Sequence, residues 1–324
     1  MLAMVFPGQG SQGVGMGKTL FDAFSSVRSL AQEANDILHI NLTEIMFNGP
    51  TELLSSTQYA QPAIFTASAM VLRAIEEVYG EQFFQSVRCV AGHSVGEYAA
   101  ILAAGGLTFH QGLLVIKERA CAMEAACPQT PADKGGMCAI LGLDTETVGD
   151  IITDCCGNGT PQCFIANDNC PGQCVVSGPL LAVEEVRRAA LDKGAKKGVM
   201  LSVSGPFHSA LMAPAAEKLN AVLGGVNMRD LRIPLIANYT AQAVQSASTI
   251  KEMLPQQVTG TVRWRESVSA ILALGVDCLL EVGHGAVLTG IVRRCAPDAP
   301  MFSVQTADDI HLLTRNLVPN TKHM

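Results

Sequence analysis

Two patterns of hydrophobic and polar positions alternate along most of the chain. Residues 2–6 and 87–91 are short, mainly apolar runs followed by glycine or proline, which is typical of buried β-strands. The stretches 19–37 and 61–80 are longer and have helical spacing. Alternating strands and helices usually form a parallel sheet covered by helices. The first half of the sequence therefore predicts an α/β fold with a central, mostly parallel sheet.

The pattern changes near residue 131 and changes back near residue 203. Between these points the sequence predicts the order β-α-β-β-α-β, which is typical of a ferredoxin-like arrangement. We therefore expect a large α/β-hydrolase-like subdomain, formed by residues 1–130 and 204–324, with a small ferredoxin-like subdomain inserted at 131–203. The predicted elements are strand 137–141, helix 145–155, strand 163–167, a turn at 169–172, strand 174–177, helix 181–193 and strand 198–203.

Composition excludes several classes of protein. Of the 324 residues, 48% are hydrophobic and 16% are charged, which is enough apolar material for a large core. The formal net charge of −7 argues against a nucleic-acid partner, because such binding depends on cationic contacts to phosphate. Apolar stretches are interrupted before the roughly 20 residues that a membrane helix needs. We therefore predict no nucleic-acid and no membrane partner.

The cysteines and the first residues bear on the compartment. Eleven cysteines lie at irregular spacings without a Cys-x-x-Cys pair, which favours reduced thiols over a disulfide framework or a metal site. The chain opens directly on a strand-like run without the layout of a signal peptide. We predict a cytoplasmic protein, or an organellar one if a targeting leader has been removed.

The first glycine motif, G-Q-G-S-Q-G at residues 8–13, fits the G-x-G-x-x-G fingerprint of dinucleotide-binding loops. Two features weaken that interpretation. Pro7 lies where the strand should run smoothly into the turn, and no strand ending in an acidic residue follows about 20 positions later. A glycine-rich turn is the favoured interpretation, and the dinucleotide site remains an alternative.

The second motif, G-H-S-V-G at residues 92–96, lies between a predicted strand and a predicted helix. This is the context of a nucleophile elbow, a tight turn that projects a serine hydroxyl from the end of a sheet. The free N–H groups at the start of the helix can then stabilise an oxyanion. The motif predicts that Ser94 is a nucleophile, and a turn serine without catalytic function is the alternative.

A nucleophilic serine needs a base, and histidine is the commonest one. His208 follows a predicted strand and precedes the next helix, so it is the best candidate among seven histidines. A structural histidine remains the alternative. His93 is adjacent to Ser94, but neighbouring side chains on a tight turn point apart. His284 lies in a glycine turn. The remaining histidines lie in polar segments: His39, His110, His311 and His323.

These segments together resemble the malonyl-CoA:acyl-carrier-protein transacylase family. The resemblance runs through nearly the whole chain, and its motifs occur in the family's order. The C-terminal motif departs from the family at one position, because His284 lies between two glycines where proline is usual. The matching segments are FPGQGSQ at 6–12, QPA at 61–63, AGHSVGEY at 91–98, Arg119, SGPFH at 204–208 with ALM at 210–212, and EVG at 281–283 with LTG at 288–290.

The resemblance implies a serine–histidine dyad. Ser94 would be the nucleophile and His208 the base, with the second imidazole nitrogen held by the backbone carbonyl of Gln257. The backbone N–H groups of Gln9 and Val95 would form the oxyanion hole. The first glycine motif would then belong to the Ser94 site rather than to a nucleotide site.

The resemblance also implies how the acyl group is recognised. Arg119 would bind the free carboxylate of a malonyl group, because a guanidinium offers a carboxylate two parallel hydrogen bonds. Gln61, Asn169 and Asn238 are placed near the acyl group by similarity. Phe207 is similar to the residue of malonyl-selective members, where a bulky ring would crowd an α-methyl branch.

The implied activity is transfer of a malonyl group from malonyl-CoA to the phosphopantetheine thiol of acyl carrier protein, in fatty-acid biosynthesis. The reaction would be ping-pong, would pass through malonyl-Ser94 and would need no metal or cofactor, and the family suggests a monomer. Alternatives are a serine thioesterase or other hydrolase, a polyketide-pathway acyltransferase and a catalytically silent carrier-binding module. The densest cationic group is predicted to contribute to carrier docking or simply to be a solvated helix face; it consists of Arg187, Arg188, Lys193, Lys196 and Lys197.

Overall fold

The computed structural model describes residues 1–127, 134–156 and 163–317, and it contains two β-sheets. The larger sheet has six strands in the order β10-β9-β1-β2-β7-β8, and the smaller has four in the order β4-β5-β3-β6. The strands are β1 (Leu2–Phe6), β2 (Val87–Gly92), β3 (Gly135–Leu141), β4 (Phe164–Cys170), β5 (Gln173–Pro179), β6 (Lys197–Met200), β7 (Leu235–Ile236), β8 (Ala243–Val244), β9 (Cys278–Val282) and β10 (Met301–Val304).

Helices cover both sheets and are interspersed with the strands along the chain. Two further 3-10 segments lie at Glu81–Ser86 and Ala210–Met212. The helices are α1 (Lys18–Ala23), α2 (Ser25–Leu38), α3 (Leu42–Asn48), α4 (Thr51–Ser55), α5 (Thr57–Tyr79), α6 (Gly96–Ala103), α7 (Phe109–Ala125), α8 (Thr145–Cys156), α9 (Leu180–Asp192), α10 (Ala213–Gly224), α11 (Ala247–Thr259), α12 (Trp264–Ala273), α13 (Val287–Cys295) and α14 (Ala307–Leu317).

The large sheet is parallel except for the pairing of β7 with β8. Its central strand, β1, is buried along its whole length. Met4 and Phe6 pack into the core on one face of the sheet, whereas Ala3 and Val5 pack into the core on the other face, with Trp264. A strand covered on both faces needs apolar residues at every position, which explains the continuous apolar run. The predicted α/β fold with a mostly parallel central sheet is confirmed.

The small sheet is antiparallel, and its strand order is that of a ferredoxin-like βαββαβ unit. Helices α8 and α9 pack against it around a separate core that includes Ile140, Val148 and Val176. All of these elements lie between Gly135 and Met200. The predicted boundary between residues 130 and 131 lies outside the described residues, and the boundary between 203 and 204 stays a prediction.

Strand β4 connects the small sheet to the large one. The Asp168 N–H donates to the Val262 carbonyl over 3.0 Å, and the Val262 N–H donates to the Ala166 carbonyl over 2.8 Å. The guanidinium of Arg265, on α12, also donates to the buried Asp168 carboxylate. The strand therefore bonds to both parts of the protein.

Four predicted elements differ from the structure. The predicted strand 198–203 is shorter, since β6 ends at Met200. The predicted helix 19–37 is two helices, because Phe24 adopts an extended conformation between α1 and α2 and is buried. The turn predicted at 169–172 is shorter, since β4 continues to Cys170 while it pairs with the large part of the protein. Helix α5 begins at Thr57, so Pro62 lies inside the helix rather than in its first turn.

No helix in the described ranges is long and apolar enough to cross a membrane. Among the described residues, no cysteine takes part in a disulfide bond. Within the described residues, no group of three or more histidine, cysteine or acidic side chains is placed to hold a metal ion.

Candidate active site

The segment between β2 and α6 forms a tight elbow with Ser94 at its tip. Ser94 has φ 52°, a left-handed conformation that costs a non-glycine residue about 1–2 kcal/mol. A Cβ on Gly92 would overlap the Gly96 carbonyl, and a Cβ on Gly96 would overlap the Phe6 carbonyl. The two glycines of G-x-S-x-G are therefore required by close backbone approach, within the elbow and against β1.

The imidazole of His208 contacts the Ser94 hydroxyl. The Ser94 Oγ and His208 Nε2 atoms are 2.8 Å apart, and His208 Nδ1 lies 2.8 Å from the Gln257 carbonyl oxygen. Because that carbonyl only accepts, Nδ1 carries the proton and Nε2 is free to accept one from Ser94. Burial, and then the positive charge of Arg119, lower the pKa of His208 to about 3. The imidazole is thus neutral at physiological pH, as a general base must be.

The loop after β1 lies directly against the elbow. A Cβ on Gly8 would overlap the His93 carbonyl, so only glycine permits this approach. The loop is held by a hydrogen bond from the Ser11 N–H to the Gly8 carbonyl, 3.2 Å long. In the part of the chain that the structure describes, neither the Gln9 N–H nor the Val95 N–H has an acceptor. Both donors predicted for the oxyanion hole are therefore available.

Arg119 is buried beside Ser94, with 1% of its surface exposed. Its Nη1 donates to Gln61 Oε1 over 2.7 Å, and its Nη2 donates to Gln257 Oε1 over 3.0 Å and to Ser94 Oγ over 3.2 Å. The guanidinium also lies over the ring of Tyr98, 5.6 Å from its centroid. Neutral amide oxygens thus hold the guanidinium in place without cancelling its charge.

Asn238 joins β7 to the elbow. Its Oδ1 accepts a hydrogen bond from the Ser94 N–H over 2.7 Å, and its Nδ2 donates to the Gly92 carbonyl over 2.6 Å. The side chain is fully buried. Asn238 therefore supports the backbone of the nucleophile.

Asn169 and Phe207, the other two residues predicted to bind the acyl group, lie near Ser94 in the chain fold or in the core without bonding to its hydroxyl. Asn169 Oδ1 lies 2.9 Å from His93 Nε2, so it bonds to the neighbour of Ser94 rather than to Ser94 itself. Phe207 is 4% exposed and belongs to the main core, with its ring against Gly205. No hydrogen bond or ring contact in the described residues joins Phe207 to Ser94, so its effect on acyl selection stays a prediction.

Sequence reasoning missed Glu97, which is 3% exposed. Its Oε1 accepts from the Asn238 N–H over 2.8 Å, and its Oε2 accepts from Gln257 Nε2. Burial raises the pKa of this carboxyl to about 7. An acidic residue in the otherwise apolar sequence of α6 is the signal that could have identified it.

His284 packs against the end of the glycine loop, at Gly13. Its Nε2 is 3.0 Å from the position that a Cβ on Gly13 would occupy, so the imidazole packs against the loop that carries Gln9. Burial lowers the pKa of His284. The departure from the usual proline therefore places a half-buried imidazole against this loop.

These groups converge at the carboxyl ends of neighbouring parallel strands, which is the usual place for sites in α/β sheets. The site combines a serine hydroxyl, a neutral imidazole, two free backbone N–H groups and a buried cation. This set of groups is typical of enzymes that carry an acyl group on serine, and the cation suits an acyl group with an anionic part.

Comparisons with known proteins agree with this class. The family described as "Acyl transferase domain" matches residues 3–319. The chain is 39% identical to the malonyl CoA-acyl carrier protein transacylase of Bacillus subtilis over 98% of this chain and 97% of that protein. The solved acyl-carrier-protein-S-malonyltransferase of Bartonella henselae is 43% identical, with a TM-score of 0.92, and the match covers 97% of this chain and 98% of that one.

A third comparison includes a partner. A type II PKS acyl-carrier protein has been solved in complex with its malonyl-transacylase. The matching chain of that complex is 36% identical to this chain, with a TM-score of 0.91, and the match covers 97% of this chain and 99% of the matching chain. The chain belongs to the acyl transferase family and, within it, to the malonyl CoA-acyl carrier protein transacylases. It is an acyltransferase.

Proposed function

We propose that this protein transfers a malonyl group from malonyl-CoA to the phosphopantetheine thiol of an acyl carrier protein, in fatty-acid biosynthesis and as a monomer. One observation carries the proposal. The Ser94 hydroxyl lies 2.8 Å from the His208 imidazole and 3.2 Å from the buried Arg119 guanidinium. A base and a carboxylate-binding cation at one hydroxyl fit an acyl group that ends in a free carboxylate.

The first half of the reaction loads Ser94. His208 Nε2 takes the hydroxyl proton while Oγ attacks the thioester carbonyl of malonyl-CoA. The N–H groups of Gln9 and Val95 stabilise the resulting oxyanion, and loss of one such donor costs about 2.7–4 kcal/mol in comparable enzymes. The C–S bond then breaks, coenzyme A takes the proton from His208, and malonyl-Ser94 remains.

The second half reverses these roles. The carrier's thiol gives its proton to His208, and its sulfur attacks the ester carbonyl of malonyl-Ser94. The Ser94 oxygen leaves and takes the proton back from His208. The enzyme returns to its starting state, and neither step needs a redox group or a metal.

Arg119 supports transfer of malonyl rather than of an uncharged acyl group. Its Nη2 hydrogen bond to Ser94 Oγ can be replaced by one to the malonyl carboxylate, while Gln61 and Gln257 keep the guanidinium in place. A thioesterase acting on neutral acyl chains would have no use for this buried cation. The hydrolase interpretation is therefore the less favoured one.

The exposed cations of the small sheet support a docking surface for the carrier. Lys196 and Lys197 are exposed and have no ion pair among the described residues, whereas Lys193 is paired with Asp154. An acidic carrier approaching a protein of net charge −7 needs such a local patch. Charge reversal at Lys196 and Lys197 should raise the KM for the carrier at low salt, and an unchanged KM would remove this surface from the proposal.

Transfer of label tests the proposed function. Incubation with radiolabelled malonyl-CoA should place label on Ser94, with none on Ser94→Ala, and addition of carrier should release it much faster than water does. Label that never forms would refute the acyl-enzyme, and loss to water as fast as to carrier would favour a hydrolase. Fatty-acid and polyketide carriers, tried side by side, distinguish the two pathways.

A further inference from the structure

The Glu97 carboxylate lies at the centre of a buried network that the mechanism above does not use. Its two oxygens accept hydrogen bonds from two segments that are distant in sequence. One donor is the backbone N–H of Asn238, which follows β7, and the other is the side-chain amide of Gln257 on α11. Glu97 thus joins both segments to the helix that follows the nucleophile.

Gln257 distributes this contact to the reacting groups. Its Nε2 also donates to the Ser94 carbonyl over 2.9 Å, and its Oε1 accepts from Arg119 Nη2 over 3.0 Å. Its backbone carbonyl lies 2.8 Å from His208 Nδ1. One residue therefore orients both the base and the cation, and Glu97 holds its amide so that Nε2 points to the elbow and Oε1 to the guanidinium.

We propose that Glu97 is a positioning residue for acyl selection: its carboxylate fixes the Gln257 amide and thereby aligns Arg119 and His208 with Ser94. The inference rests on the proposed function, since it assigns the selectivity for a free carboxylate partly to a residue that does not touch the acyl group. Alignment matters because misplacement by about 1 Å can cost roughly 100-fold in rate.

The chemistry of the carboxylate explains why an amide cannot replace it. Both Glu97 oxygens accept hydrogen bonds, which requires the ionised form that prevails above its pKa of about 7, so the activities below are compared at pH 8. A glutamine side chain has one oxygen and an NH₂ group that only donates. In Glu97→Gln, either the Asn238 N–H or the Gln257 Nε2 must face another donor. The Gln257 donor is the more mobile of the two, because it belongs to a side chain whereas the Asn238 donor is a backbone N–H. The Gln257 amide should therefore rotate away.

The experiment compares malonyl-CoA with acetyl-CoA as acyl donors for Ser94. In Glu97→Gln, kcat/KM for malonyl-CoA should fall about 10- to 100-fold. The loss with acetyl-CoA should be smaller, because acetyl has no carboxylate to meet Arg119. The ratio of the two values should therefore fall, and Glu97→Asp, which keeps both oxygens, should recover part of it.

Glu281 provides a matched control. It is also fully buried, and it accepts hydrogen bonds from the Leu288 N–H and from the Thr289 N–H and hydroxyl, away from Ser94. Glu281→Gln should lower the melting temperature without changing the malonyl-to-acetyl ratio. Equal losses with both donors in Glu97→Gln, as expected of a purely structural residue, would overturn the inference.

A second variant covers the case in which Glu97→Gln does not fold. Gln257→Asn keeps the backbone carbonyl that faces His208 but withdraws the amide from Glu97 and Arg119, so the same fall in the ratio is expected. An unchanged ratio in Gln257→Asn would refute the inference. If the unmodified protein fails to load malonyl at all, the proposed function fails instead, so the two failures are distinguishable.

Discussion

Two strand–turn–helix units of the large sheet share a Gly-His turn but differ in what binds the start of the helix. The first runs from β2 through Gly92-His93 to α6, and the second runs from β9 through Gly283-His284 to α13. In the second unit the Glu281 carboxylate accepts from the N–H groups of Leu288 and Thr289, over 3.0 and 2.7 Å. The protein's own carboxylate thus occupies the start of α13.

The first unit leaves its helix start open. No side chain caps α6, and the Val95 N–H has no acceptor in the described part of the protein. Its glutamate, Glu97, instead bonds to Asn238 and Gln257. The N–H groups at a helix start attract anions. In the unit β9–α13, called the closed unit below, they bind the protein's own Glu281 carboxylate. In the unit β2–α6, called the open unit, no carboxylate of the described residues binds them, which leaves room for a reacting oxyanion.

Removal of the cation beside the open unit should have the largest effect. Arg119→Ala leaves the malonyl carboxylate without a partner in a buried site, and kcat/KM for malonyl-CoA should fall about 100- to 1000-fold. The relative rate with acetyl-CoA should rise. Arg119→Lys should restore little, because an ammonium cannot offer two parallel hydrogen bonds.

Thr289→Ala, in the closed unit, is the control for this comparison. It removes one hydrogen bond to Glu281 and should cost about 1 kcal/mol of stability without changing donor preference. Parallel losses with both donors in Arg119→Ala would contradict the carboxylate role.

The glycines of the two units should respond in opposite directions to alanine. A Cβ on Gly92 would overlap the Gly96 carbonyl, so Gly92→Ala should lose more than about 3 kcal/mol of stability. Gly290 lies within α13, is exposed and has no atom within 4 Å of its Cβ position. Gly290→Ala should stabilise by up to about 1 kcal/mol, since alanine is the better helix former. Denaturant unfolding measures both changes, and a stable Gly92→Ala would show that the elbow can relax.

The backbone strain at Ser94 should appear as a difference in stability between two inactive variants, Ser94→Gly and Ser94→Ala. Ser94 has φ 52°, whereas the closed turn has glycine at its left-handed position, Gly285, with φ 86°. Ser94→Gly should therefore exceed Ser94→Ala in stability by about 1 kcal/mol, the reverse of the usual order. Gly285→Ala should be destabilising for the same reason. Equal melting temperatures for the two Ser94 variants would mean that the turn is unstrained.

The smallest expected effect is a pH dependence that differs between two histidines, His208 beside Ser94 and His284 in the turn after β9. Burial and Arg119 lower the pKa of His208 from 6.5 to about 3, so between these values the unfolded chain binds a proton that the folded chain does not. This contribution is complete above pH 6.5 and is lost on acidification, by about 1 kcal/mol at pH 5.5. Burial lowers the pKa of the half-buried His284 in the same direction.

Melting at pH 7.5 and 5.5 tests this difference. The loss of stability on acidification should shrink in His208→Gln and change less in His284→Gln. A loss in His208→Gln as large as in the unmodified protein would show that His208 does not titrate in this range.

Local patterns were sufficient where an element's environment is uniform along its length. Strand β1 matches the predicted range, because the apolar run 2–6 is covered on both faces. The β-α-β-β-α-β order of the small sheet was predictable for a related reason, since each element shows its own period and is bounded by turn residues. The elbow was predictable because Gly92 is required by the turn itself and Gly96 by the close approach of β1.

The sequence by itself thus determined the α/β class, strand β1, the element order of the small sheet and the tight turn at Ser94, all of which depend on neighbouring residues. Only the tertiary structure decided that Arg119 is buried, because its partners Gln61 and Gln257 lie 58 and 138 positions away. The same holds for Glu97, whose two donors come from segments after β7 and on α11. A periodic pattern reports which face of an element is covered, whereas a buried charge is stabilised by specific partners that only the folded chain brings together.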